Sequence, residues 1–148
     1  MHQKRTISSL IGPIIIIIVL FSIIYIIGHS IILKNHDIKL WKEFRNNLNS
    51  DEILKVEFFG TKSLTLRDKD KNAFIDTLKK STFYKSNRER NGSTGVVIVL
   101  HYTNGSEFSF SCQGGNHFEL SYKDLQFLIK NKEITKLMDE NGINWYDT

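Results

Sequence analysis

The chain has one cysteine and one proline in 148 residues, Cys112 and Pro13. A lone cysteine excludes an internal disulfide framework and any zinc site built on several thiolates. No acidic residue occurs before Asp37. The rest of the chain has no excess charge of either sign. Lys4, Arg5 and Lys34 precede residue 35, which leaves 17 of the 20 basic residues against 16 acidic ones. Lys and Arg are interspersed with Asp and Glu in this near-neutral remainder, so it lacks the clustered basic face of a nucleic-acid binder. No nucleic-acid partner is expected. No catalytic, metal or nucleotide motif stands out, and no catalytic residue, metal ligand or cofactor is assigned.

The strongest feature is an apolar run. No charged residue lies between Arg5 and Lys34, and residues 14–33 are mostly Ile, Val, Leu and Phe. Twenty residues at about 1.5 Å each cover the roughly 30 Å hydrocarbon core of a bilayer. Lipid supplies no hydrogen-bond partners, so this β-branched run is forced into a helix. Pro13 at its start is expected to open that helix. Cleaved signals have apolar stretches of about 7 to 15 residues and a small-residue cleavage site. This run is longer and ends Ile-Ile-Leu-Lys, so an uncleaved, single-pass signal-anchor is expected, with the lipid bilayer as partner through residues 7–34. His29 falls near the end of the span, where its imidazole can sit among headgroups. The flanking charges conflict on orientation: Lys4 and Arg5 precede the run, and Lys34, Lys39, Lys42 and Arg45 follow it. The very short N-terminal tail favours an extracytoplasmic soluble domain at the cell membrane.

The expected organisation is a basic tail over residues 1–6, a transmembrane helix over 7–34, an amphipathic helix over 35–50 and a small domain over 51–148. In the amphipathic segment Asp37 suits an N-cap, and Ile38, Trp41, Phe44 and Leu48 recur at helical spacing. That stripe can lie on the bilayer surface or pack on the domain.

Within the domain, Leu54, Val56 and Phe58 alternate with polar residues, as do Leu64 and Leu66, so a hairpin facing Phe58 to Leu64 and Val56 to Leu66 is expected. A helix follows over 69–80, capped by Asp68 or Asp70, with Phe74, Ile75 and Leu78 inward. Residues 86–95 are polar, and a solvated loop is expected; Arg88 and Arg90 flank Glu89 there. Asn104-Gly105 is a preferred two-residue turn, which pairs Val99 with Phe110 and Val97 with Cys112. That register places His101 on the apolar face with Phe108. After it, a two-residue turn would set Cys112 against His117 as a thiol–imidazole pair. A three-residue turn sets Cys112 against Phe118 and Phe110 against Leu120, and only this keeps the buried face continuous. Cys112 is thus expected to be a small core residue. A closing helix from Ser121, with Asp124 in a capping box and Leu125, Leu128 and Ile129 inward, leads to a second helix over 133–140 that stops at Asn141-Gly142. Trp145 is assigned to tail packing.

The expected fold is α+β: a two-layer ββαβββα sandwich with a mostly antiparallel five-stranded sheet, one face under two helices. In this register Ile98, Leu100, Tyr102, His117 and Glu119 share the other face. Its apolar content suits a protein partner or a second copy of the chain. The functional expectation is therefore a membrane-anchored, non-enzymatic binding or assembly module. The alternative is a small tethered, hydrolase-like enzyme using His117, Glu119 and Glu107.

Overall fold

The computed structural model describes residues 3–87, 95–123 and 125–143, which fall into two compact units, Met1–His36 and Asp37–Thr148. The loop residues 88–94, with Arg88 and Arg90, together with Asp124 and Trp145, lie outside the described residues.

Residues of the first unit are helical. Helix α1 (Gln3–Asn47) starts before the apolar run and passes through it. Pro13 is therefore interior to the helix, not its opener, because the polar residues ahead of it are helical as well. Ser22 and Ser30 each donate a hydroxyl hydrogen bond of 2.9 Å to a carbonyl four residues back, at Ile18 and Ile26. Their polarity is thus satisfied within the helix itself. The large apolar side chains of residues 14–32 are exposed, and they belong to the one described helix long and apolar enough to cross a membrane.

The second unit opens with the last three turns of α1. Asp37 is not a cap, since the helix runs on through it. Trp41, Phe44 and Leu48 are buried, so the amphipathic stripe packs on the sheet. Phe44 lies 5.0 Å from the Phe108 ring and 5.3 Å from Tyr122, and Trp41 lies 6.5 Å from Phe127. A 3₁₀ turn (Ser50–Glu52) then leads into the sheet.

The sheet has seven strands, not five: β1 (Ile53–Phe59), β2 (Ser63–Leu66), β3 (Thr82–Asn87), β4 (Val97–Tyr102), β5 (Glu107–Gly114), β6 (His117–Tyr122) and β7 (Leu125–Lys130). Their spatial order is β2-β1-β4-β5-β6-β7-β3, antiparallel throughout, with helices α2 (Asp68–Lys79) and α3 (Lys132–Glu140). The architecture is α+β, in the order ββαβββββα after α1. The closing helix expected from Ser121 is the hairpin β6–β7. Leu125, Leu128 and Ile129 fit a helical stripe, but Leu125, Phe127 and Ile129 fit a strand equally well, and pairing with both β6 and β3 decides it. Lys123, at φ 48°, bends the chain between the two strands.

Two registers follow the hydrophobic pattern: Phe58 faces Leu64 and Val56 faces Leu66, while Phe110 faces Leu120 and Cys112 faces Phe118. The β4–β5 register differs by one residue. Tyr102 N donates to Ser106 O at 2.9 Å, and Gly105 takes φ +84°, so the loop holds three residues, Thr103, Asn104 and Gly105. Val99 therefore pairs with Ser109, and Ile98 with Phe110. One residue of slip exchanges the two faces of a strand. Ile98 and Leu100 turn to the helix-bearing face and are fully buried, whereas Val97, Val99 and His101 turn to the other.

The core lies between that face and the helices. Val56, Phe58, Ile98, Leu100, Phe110, Cys112, Phe118, Leu120, Phe127 and Ile129 meet Trp41, Phe44, Phe74, Ile75, Leu78, Ile134 and Met138. Asn131 joins α2 to α3. Its side-chain oxygen accepts from Glu133 N and Ile134 N at the start of α3, and its amide donates to Thr77 O and Ser81 Oγ, both at 2.7 Å. The register yields a paired prediction for the full chain in detergent micelles, followed by near-ultraviolet circular dichroism in urea. Leu100→Asp buries an unpaired charge and should cost more than about 4 kcal/mol, whereas Val99→Asp on the opposite face should cost about 1 kcal/mol.

Candidate functional site

The face of the sheet away from the helices carries three polar groupings. In the first, β1, β4 and β5 bring Glu57, His101 and Glu107 together, because all three residues point outward in register. His101 Nε2 lies 2.7 Å from Glu57 Oε2, and Nδ1 lies 3.0 Å from Glu107 Oε1. Lys55 Nζ donates to Glu57 Oε1 at 2.6 Å. This hydrogen bond, reinforced by the lysine and histidine charges, holds the Glu57 carboxyl below the usual carboxylate range. Both imidazole nitrogens face carboxylates, and both can donate only when both carry protons. The imidazole thus sits between carboxylates from β1 and β5.

In the second grouping, Gln113 Nε2 donates to Glu119 Oε2 at 2.8 Å and to Ser111 Oγ at 3.1 Å, and Glu119 is buried. In the third, the His117 ring lies 5.1 Å from Tyr84, whose face also takes Lys130 Nζ at 4.2 Å. His117, Glu119 and Glu107 thus engage different neighbours and form no single constellation. Of the five residues expected to share a partner face, His117 and Glu119 lie on this side. Ile98 and Leu100 lie buried on the other, and Tyr102 packs against the core. Cys112 is buried under the helices, and burial pushes its thiol up to about 12. Among the described residues, no group of three His, Cys, Asp or Glu is placed to hold a metal ion.

A cleft opens on the helix-bearing side instead. It has a volume of about 520 Å³ and lies between α2 and α3 beside β2. Leu64, Leu66, Phe74, Ile134 and Leu137 supply its apolar surface, and Asp70, Glu133 and Glu140 supply carboxylates. Lys136, also at the cleft, lies 3.7 Å from Glu140. Such a volume, lined by apolar and polar side chains together, lies in the size range of a binding site. Asn131 ties the end of α2 to the start of α3 beside the cleft. Sequence reasoning missed this site. The available signal was the spacing of Glu133, Leu137 and Glu140, which falls on one side of a helix.

Compared with known protein families, curated proteins and solved structures, the chain matches none.

Two measurements check this geometry. The Cys112 thiol should resist a maleimide at pH 8 in the folded chain and react once the chain is unfolded in urea. Glu57, held low in the folded state, adds stability that is complete above the ordinary carboxylate value of about 4.3 and fades as pH falls through its lowered one. Glu57→Gln should therefore flatten the acid side of the stability curve while changing its slope near neutrality little. Equal acid sensitivity in both proteins would contradict the arrangement.

Proposed function

We propose that this chain is a single-pass, membrane-anchored binding module whose folded unit holds a protein partner. Exposed apolar side chains over residues 14–32 form a surface far larger than water tolerates, and a bilayer of about 30 Å is the cover their length fits. The same helix continues into residues 37–47, whose aromatic side chains belong to the core of the second unit. A domain that follows directly on its own anchor is held at the membrane, and we place it on the extracytoplasmic side.

One observation carries the binding reading: the α2–α3 cleft brings apolar side chains and three carboxylates together in one concave surface. It offers a partner both contact area and charge. The hydrolase-like alternative has His117, Glu119 and Glu107 as its residues. These lie on the opposite face, each held by a different neighbour, and no observation favours it.

Two outcomes are expected in intact cells. With Asn104→Cys in a Cys112→Ala background, a membrane-impermeant maleimide should label the exposed β4–β5 loop; labelling only after lysis would put the domain in the cytoplasm. A photo-crosslinking residue at Thr77, in the cleft wall, should give a discrete protein adduct that the same residue at Asn104 does not. Absence of an adduct at Thr77 would remove the cleft as the binding site.

A further inference from the structure

The second unit has two sheet edges, β2 and β3, and they differ. An open edge offers backbone N–H and C=O groups to any passing strand, so folded proteins usually blunt it with charges, bulges or proline. The β3 edge is blunted: its pairing shifts between Phe83 and Lys85, and Lys85 sits on the strand. The β2 edge is short, and its own four residues carry no charge, bulge or proline. Its sequence is Ser-Leu-Thr-Leu, paired in unbroken register with β1.

The cleft lies beside this uncharged strand. Three successive β2 residues, Leu64, Thr65 and Leu66, line it. Thr65 turns its hydroxyl to the opposite face, toward Glu57 Oε1 at 3.5 Å, so the cleft reaches the strand's backbone as well as its inward side chains. Asp70, Glu133 and Glu140 bring three carboxylates to the cleft against the single ammonium of Lys136.

We propose that the cleft takes an extended peptide segment in which Lys or Arg alternates with apolar residues. The segment adds to β2 as an eighth strand and directs its basic side chains to Asp70, Glu133 and Glu140. Main-chain pairing supplies register, the period of two sends alternate side chains into the cleft, and the carboxylates select the charge. A second copy pairing edge to edge would be related by a two-fold axis and would bring like-charged clefts together, which disfavours it. This inference rests on the binding-module reading above and names its partner's chemistry.

The test uses the isotope-labelled full chain in detergent micelles and two synthetic probes, acetyl-Lys-Val-Lys-Val-Lys-Val-amide and its counterpart with Glu in place of Lys. The basic probe should shift the amide resonances of Ser63 to Leu66 and of α3 saturably, and the acidic probe should not. Glu133→Lys/Glu140→Lys should weaken the basic probe at least about tenfold. Glu140→Gln, which keeps the shape of the side chain, should weaken it by a smaller factor. Equal response to both probes, shifts confined to other surfaces, or unchanged affinity in the variants would overturn the proposal. Concentration-dependent shifts at β2 without probe would assign the edge to a second copy, also overturning it. If Thr77 crosslinks in cells while the basic probe is silent, the binding module stands and this occupant falls; silence in both removes both.

Discussion

The second unit depends on the burial of one aromatic stripe. Trp41, Phe44 and Leu48 close the end of the sheet where Phe108, Tyr122 and Phe127 lie, and burying large aromatic side chains against each other is the strongest local term available to a small domain. Polar contacts then fix the direction of the helix. Tyr122 Oη donates to Glu43 at 3.1 Å and accepts from Asn47 at the same distance, and Lys123 donates to Glu43. The lysine and tyrosine donors hold the Glu43 carboxyl below the usual range. This end of α1 is thus seated by contacts to the β6–β7 hairpin, so loss of either the helix or the hairpin exposes the aromatic faces of both.

Much of the sheet was legible where the buried face demanded it. The β1–β2 and β5–β6 registers follow because any other pairing would mix apolar and polar faces, and the free energy of several buried side chains depends on the choice. The same criterion discriminated poorly at β4, where 96–100 are apolar on both faces. There the turn alone set the expectation, and Asn104-Gly105 serves a two-residue or a three-residue loop. Choosing the wrong loop moved Ile98, Leu100 and His101 across the sheet. A short run such as Leu125 to Ile129 satisfies helical and strand periods together, and only long-range pairing decides it.

The sites were less legible than the fold. His101 lies between two carboxylates from neighbouring strands, which depends on the register that the turn left open. The α2–α3 cleft depends on how two helices pack beside β2, a property of tertiary packing that no local pattern encodes. What the sequence does contain is the absence of charge along Ser63–Leu66, which becomes informative only once β2 is known to lie at an edge.

The junction at Asn131 has a chemical consequence. Its side chain works in both directions, accepting from the first turn of α3 and donating to the end of α2. Replacing that amide by a carboxylate, as in Asn131→Asp, would leave an oxygen to accept from Glu133 N and Ile134 N. It would set an oxygen against the Thr77 carbonyl where a donor now stands. A single side-chain amide thus couples the end of α2 to the wall that α3 gives the cleft, so the groove and the helix junction stand or fall on the same group.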